Sequence, residues 1–119
     1  MVAFNFSQEF VGSIETGIKT QTLRAKKRAK PGDILQLYTG MRTKACRLIV
    51  PPVVCLVADY CHIAPDEITF GNKDLHPKSI DEFAAMDGFT SYEAMLRWFE
   101  NKYGQNHFIG FVHRWRNQP

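Results

Sequence analysis

The stretch that decides the fold is ILQLYTGMRTKACRLIVPPVVCLVADYCHI, residues 34–63. Residues 34–38, which are mostly apolar, predict a strand. Residues 44–50 predict a second strand, joined to the first by a hairpin turn at 39–42. The valine-rich residues 53–63 predict a third. Three strands in succession, with no helix between them, favour an antiparallel or mixed sheet over a doubly wound parallel one.

The flanking sequence adds helices and two further extended segments. A helix is predicted to begin at Ser7 and end at Gly17, and residues 20–24 are extended. Residues 65–74 are polar and predict turns. Two helices are predicted over 79–86 and 91–103, and a last strand over 107–115. We therefore predict one α+β domain over residues 1–119, a mixed β-barrel of five to six strands with flanking helices.

Composition narrows the class of protein. With 119 residues, of which 45% are hydrophobic, the chain is large enough to form a core without disulfides. The net charge is +3, and nine of the fifteen Lys and Arg residues lie between Lys19 and Arg47 against one acid, Asp33. This unevenness favours an anionic partner.

Three cysteines without a CxxC pair argue against a disulfide framework and suit a reducing compartment. Their spacing matches no common metal-ligand pattern, so no metal site is predicted. The longest apolar run is too short to span a bilayer, and the first ten residues lack a signal-peptide pattern. The expected location is the cytoplasm, with no membrane contact and no obligate protein partner.

The residues with the clearest chemical meaning are in GIKTQTLR, residues 17–24. A buried amine such as Lys19 can act as a base for a neighbouring hydroxyl such as Thr22. The same lysine, together with Arg24, can instead bind a phosphate. In a regular strand Lys19 and Thr22 would point to opposite faces, so they converge only if the chain bends, which Gly17 permits. Arg24 has a further possible use, an ion pair with Asp33 or Asp87.

The spacing GxKxxTxR, followed by Lys30-Pro31-Gly32-Asp33 and the Tyr38-Thr39-Gly40 hairpin, resembles the ASCH domain family. ASCH domains are a branch of the PUA-like β-barrels. The segment Asp87-Gly88-Phe89, the Trp98-Phe99 helix and the closing strand extend the resemblance over nearly the whole chain.

The resemblance implies a domain that binds a modified pyrimidine nucleoside or RNA in a cleft. One bacterial branch of the family deacetylates N4-acetylcytidine with a lysine, a threonine and a late glutamate, without a cofactor. Lys19 and Thr22 match the first two of these residues, and Asp87 occupies the position of the acid. The expected catalytic residues are thus Lys19, Thr22 and Asp87. The expected substrate-binding residues are Arg24, Tyr38, Arg42, Lys44 and Phe89.

Two alternatives remain open from the sequence. The first is a non-catalytic RNA-binding module, in which the same cations contact phosphates and affinity falls steeply with salt. The second is a ribonuclease, which the family resemblance also allows. No pair of histidines with suitable spacing supports it, and the four histidines are interpreted as structural.

Overall fold

A computed structural model describes residues 1–117 of the chain, which form seven strands and three α-helices. The strands are β1 (Val2–Phe6), β2 (Gln21–Arg24), β3 (Ile34–Thr39), β4 (Arg47–Leu48), β5 (Val53–Ile63), β6 (Ile68–Phe70) and β7 (Phe108–Asn117). The helices are α1 (Val11–Glu15), α2 (Ile80–Met86) and α3 (Tyr92–Tyr103), with single 3-10 turns at Gln8–Phe10 and Lys73–Leu75. The α+β class predicted from the sequence is confirmed.

The strands form one mixed sheet in the order β1-β3-β5-β7-β2, with β4 paired to β3 and β6 paired to β5. Only β1 and β3 run parallel in the described residues. The long strands β5 and β7 form the centre, with an irregularity in register between Cys55 and Val57. This arrangement leaves β1 and β2 as the two edges.

The predicted barrel of five to six strands is wrong in two respects. Over residues 1–117 the sheet has seven strands. Two of them, β1 and β6, were not predicted because they lie in segments without a clear strand pattern. The sheet is also not closed, since no backbone ladder joins β1 to β2. Arginine side chains connect these edges instead: Arg24 Nη2 donates to the Asn5 carbonyl at 2.8 Å, and Arg28 Nη2 donates to the Ala3 carbonyl at 2.7 Å.

Two clusters of buried side chains form the core. The first includes Phe4, Ile14, Leu37 and Trp115, and so joins β1, α1, β3 and β7. The second joins α2 and α3 to the other end of the sheet, and its buried members include Cys61, Phe83, Met95, Phe99 and Val112. Burial of side chains of this size stabilises the fold by about 1.5–3 kcal/mol each before conformational entropy is counted.

The helix boundaries follow capping chemistry. Ser79 Oγ accepts from the Glu82 amide and Ser91 Oγ accepts from the Ala94 amide, so both predicted helix starts are confirmed. The predicted helix from Ser7 to Gly17 is shorter: α1 has five residues, and the Ser7 side chain makes no capping bond. Gly12, the second residue of α1, weakens helix propensity, which agrees with the short length.

No helix within residues 1–117 has the length and apolar character needed to cross a bilayer. All three cysteines are unpaired, with Cys46 exposed and Cys55 and Cys61 buried. Burial raises the pKa of the Cys61 thiol to about 12, so this thiol stays protonated and behaves as a small apolar side chain.

Candidate active site

Lys19 is positioned by the turn between α1 and β2. Gly17 adopts the left-handed conformation, with φ of 82°, and ends the helical segment. The Lys19 amide then donates to the Ser13 carbonyl at 2.9 Å, and the Thr20 amide donates to the Met86 carbonyl at 2.8 Å. The second bond ties this turn to the end of α2. The predicted bend is therefore present, with Lys19 in the turn and Thr22 in the strand.

The Lys19 side chain is buried against the end of α2. Only 3% of Lys19 is exposed, and its Nζ donates to the backbone carbonyl of Asp87 at 2.7 Å. The same atom lies 3.6 Å from Asp87 Oδ2 and 4.7 Å from the centre of the Phe10 ring. Burial lowers the pKa of Lys19, while the charge of Asp87 acts in the opposite direction. The result is an amine that loses its proton more readily than a solvated lysine.

Asp87 caps the C-terminal end of α2, and its carboxyl group points into the protein. Burial raises the pKa of Asp87 to about 6, and the neighbouring Lys19, Gln21 and Arg24 oppose this shift. The side-chain amide of Gln21 lowers the pKa of Asp87 by hydrogen bonding to its carboxyl group. No hydrogen bond of ordinary geometry reaches Asp87 Oδ1 from the described residues. The carboxyl group is thus buried with spare capacity to accept a hydrogen bond.

Gly88 allows Asp87 and Lys19 to approach. Its φ is 93°, and a Cβ placed there would lie 3.3 Å from both Cβ and Cδ of Lys19. Because any larger residue would crowd the lysine and strain the backbone, the glycine keeps the aliphatic part of Lys19 packed against the chain.

Thr22 is held by Arg24 on the same strand. Arg24 Nε donates to Thr22 Oγ1 at 3.1 Å, and the guanidinium carbon lies 5.1 Å from the ring centres of both Phe4 and Phe6. The hydroxyl proton of Thr22 is not needed for this bond, since Oγ1 is the acceptor. The predicted ion pair of Arg24 with Asp33 or Asp87 is wrong over residues 1–117, because no carboxylate oxygen lies within ion-pair distance of its guanidinium group. Two of its N–H donors go to the Asn5 carbonyl and the Thr22 hydroxyl instead.

All three expected catalytic residues line one cavity of about 310 Å³. Phe89 and Arg24, expected to bind substrate, line it too. The other lining residues are Asn5, Phe6, Ser7, Phe10, Leu23, Trp98, Phe99, Lys102 and Tyr103. The sequence pattern did not identify Trp98 or Tyr103 as site residues, because aromatic side chains on a helix usually indicate core. The only available signal was the mixture of these rings with the exposed Lys102 on α3.

The other three expected binding residues lie elsewhere. Tyr38 is half-buried in β3, opposite Leu48 of β4, and Lys44 is exposed in the loop that follows β3. Neither side chain lines the cavity. Arg42 lines a second cavity, of about 250 Å³, with Ala3, Asn5, Arg24, Arg28 and Met41. Of the expected binding residues, the structure thus places Arg24 and Phe89 at the first cavity and Arg42 at the second, and a binding role for Tyr38 and Lys44 stays a prediction.

A buried polar network behind Asp87 was missed by sequence reasoning. Gln21 Oε1 accepts from Arg114 Nε and Nη2, at 3.1 and 3.0 Å. Arg114 Nη2 also lies 2.9 Å from His76 Nδ1, and His76 Nε2 lies 2.8 Å from Asp59 Oδ2. These residues come from β2, β5, β7 and the segment before α2, so no local spacing relates them. The network fixes Gln21 beside the Asp87 carboxyl group.

The comparisons with known proteins leave the family open. Protein-family models, curated proteins and solved structures give no match to this chain. The resemblance to ASCH domains is therefore a prediction from the sequence motif alone.

Proposed function

We propose that this chain is an ASCH-type domain of the PUA-like class that binds an N4-acylated cytidine, free or in RNA, and hydrolyses its amide. The observation that carries the proposal is the convergence of Lys19, Thr22 and Asp87 on one cavity of about 310 Å³. Lys19 and Asp87 are 68 positions apart in the chain. A buried amine, a hydroxyl and a carboxyl group at one cavity are the parts that amide hydrolysis by a covalent route requires.

In this reaction the neutral Lys19 amine takes the proton of Thr22, and Thr22 Oγ1 attacks the acyl carbonyl carbon. The tetrahedral intermediate collapses as the C–N4 bond breaks, and the Lys19 ammonium returns the proton to the departing amine. Cytidine leaves, and the acyl group remains as an ester on Thr22. A water molecule, deprotonated by Lys19, then attacks the ester carbonyl carbon. The ester C–O bond breaks, the carboxylic acid leaves, and the Lys19 ammonium returns its proton to Thr22 Oγ1. Asp87 holds Lys19 in place, and Arg24 supplies positive charge near the oxygens that become negative.

The shape and walls of the cavity support a nucleoside ligand. A volume of about 310 Å³ lies at the lower end of the range for small-molecule sites. Rings of Phe10, Phe89, Trp98 and Tyr103 line the cavity and offer apolar faces to a planar base. The proposed reaction uses no metal or organic cofactor, and we place it in the cytoplasm because the chain carries free thiols.

Chromatography of N4-acetylcytidine after incubation with the protein tests the proposal. The wild type should release cytidine, and Lys19→Ala and Thr22→Ala should each lower the rate by about 10²–10⁴-fold. Thr20→Ala and Lys26→Ala are matched controls, because neither residue lines the cavity. They should retain wild-type turnover. Unchanged turnover in Lys19→Ala or Thr22→Ala would remove that residue from the mechanism.

The second candidate is an RNA-binding module without turnover, and it is favoured by one observation. Arg24, Arg28 and Arg42 line the second cavity and have no ion-pair partner in residues 1–117. RNA affinity that falls steeply with salt, with N4-acetylcytidine left intact, would select this candidate.

The ribonuclease alternative gains no support from the close histidine pair in the described part of the chain. His62 Nε2 lies 3.1 Å from His107 Nδ1, but neither histidine lines either cavity.

A further inference from the structure

The second cavity has the composition of an anion site. Of its six lining residues, three are arginines, and no Asp or Glu lines it within the described part of the chain. Three guanidinium groups without a carboxylate partner repel one another unless an anion lies between them. Arg42 is exposed and adopts the left-handed conformation, with φ of 68°, which is uncommon for a residue other than glycine. The turn that carries Arg42 thus places a third cation at the cavity.

Two of the arginines are held in place before any ligand arrives. Arg28 Nη2 donates to the Ala3 carbonyl at 2.7 Å, and its guanidinium carbon lies 4.6 Å from the centre of the Phe4 ring. The backbone amide of Arg28 donates to His113 Nε2 at 3.1 Å, which fixes this loop to β7. Arg24 is held by Asn5 and Thr22. Each guanidinium has five N–H donors, so both arginines retain several for a ligand.

The second cavity adjoins the first, because Asn5 and Arg24 line both. A ligand whose base occupies the aromatic part of the first cavity can therefore extend past Arg24 into the second. Arginine forks match the oxygens of a phosphate in two-point hydrogen bonds.

We propose that the second cavity is a phosphate subsite, formed by Arg24, Arg28 and Arg42, for a phosphate group on the ribose of the bound ligand. This inference rests on the proposed function, and it narrows the substrate to a phosphorylated nucleoside, either a nucleotide or an RNA residue. A free nucleoside leaves the three guanidinium groups without an anion.

Calorimetric titration of the reaction product tests the subsite without requiring turnover. Cytidine, cytidine 5′-monophosphate and cytidine 3′-monophosphate are each titrated into the protein. At least one monophosphate should bind the wild type about 10–100-fold more tightly than cytidine, as expected for charged hydrogen bonds. Equal affinity for cytidine and both monophosphates would overturn the proposal.

Substitutions assign this preference to the cavity. Arg28→Gln should reduce the preference for the monophosphate over cytidine by about tenfold, and Arg42→Asn should reduce it by a similar factor. Asparagine is chosen at position 42 because it tolerates the left-handed backbone. Arg97→Gln is the matched control, since Arg97 lies on α3, pairs with Glu93 and lines neither cavity. A loss of preference in Arg97→Gln equal to that in Arg28→Gln would assign the effect to net charge and overturn the subsite.

Kinetics separate this inference from the proposed function. If N4-acetylcytidine monophosphate and a short RNA carrying N4-acetylcytidine are deacetylated with a higher kcat/KM than the nucleoside, the amidohydrolase and the phosphate subsite are both supported. The substrate with the higher kcat/KM identifies whether the phosphate comes from a nucleotide or from RNA. Phosphate-dependent binding without turnover of any acylated ligand would retain the subsite and refute the amidohydrolase. Turnover that ignores the phosphate would retain the amidohydrolase and refute the subsite.

Discussion

At the residue scale, the chain places two ionisable groups where burial disfavours the charged form of each. Lys19 and Asp87 are 3% and 4% exposed, and burial shifts the pKa of each towards the neutral state. Replacing buried pairs of this kind with apolar side chains is often neutral or stabilising, so stability alone does not explain them. Buried groups with perturbed pKa values that face a cavity are typical of functional sites.

Asp87 should make the stability of the protein depend on pH. The pKa of Asp87 in the folded protein, about 6, lies above the ordinary value of 3.8. The protonated carboxyl group therefore contributes fully to the free energy of unfolding below pH 3.8, and this contribution is lost as the pH rises to about 6. Relative to wild type, Asp87→Asn should therefore gain about 2–3 kcal/mol in free energy of unfolding between pH 4 and 6.5. Urea denaturation across this range measures the difference. Asp66→Asn, an exposed substitution, is the control, and parallel curves for Asp87→Asn and wild type would contradict the burial argument.

Gly88 should be required for the position of Lys19. Gly88→Ala introduces a Cβ 3.3 Å from the lysine and strains a backbone with φ of 93°, so we expect a loss of about 1–3 kcal/mol. Gly12→Ala is the contrasting variant, because nothing lies within 4 Å of its added Cβ and the residue is helical. It should stabilise the protein by about 0.5–1 kcal/mol. Thermal unfolding measures both, and equal effects of the two substitutions would exclude the proposed packing.

At the scale of elements, capping residues explain why the later helices are predictable and the first is not. Ser79 and Ser91 each accept a backbone amide at the start of α2 and α3, which agrees with the sequence pattern. Ser7 occupies a similar position in the sequence but makes no capping bond. Ser91→Ala should therefore cost about 1 kcal/mol, whereas Ser7→Ala should cost little. Urea denaturation compares the two, and a larger loss at Ser7 would refute this account.

The strands show the same limit of local patterns. The valine-rich β5 was predicted with its observed bounds, because most of its eleven residues favour strands. The short strands β1 and β6 were not predicted, since their pairing with β3 and β5 depends on contacts distant in sequence. Because β1 was not predicted, the hydrogen bonds from Arg24 and Arg28 to the backbone carbonyls of β1 could not be predicted either.

At the scale of the whole molecule, the buried network of Gln21, Arg114, His76 and Asp59 connects the sheet to the segments around α2. Arg114→Met would leave Gln21 Oε1 and the Leu75 carbonyl without their donor. We expect a loss of about 2–4 kcal/mol, a large part of the stability of an ordinary domain. Arg97→Met removes an exposed ion pair and should change stability by less than about 0.5 kcal/mol. Chemical denaturation checks both, and similar values for the two arginines would show that the network is not stabilising.

The cavity-lining residues that could be predicted belong to one short motif or, for Asp87 and Phe89, to a second segment that the sequence resemblance supplied. Lys19, Thr22 and Arg24 are within six positions, and the bend at Gly17 follows from its residue type. The second cavity, the network and the contribution of α3 to the site were not predictable. Each depends on side chains from strands and helices that the sheet topology brings together, and single-sequence spacing carries no record of that topology.

Titration of the Lys19 side chain by NMR, with Lys19→Met used to assign its signal, measures whether this amine can act as the base. We predict that the pKa of Lys19 lies below the ordinary value of 10.5 and decreases further in Asp87→Asn, since the Asp87 charge raises the pKa of Lys19. An amine of this kind can take the Thr22 proton. Titration of Lys19 at or above 10.5 would mean that the amine remains charged, and the proposed base would then be contradicted.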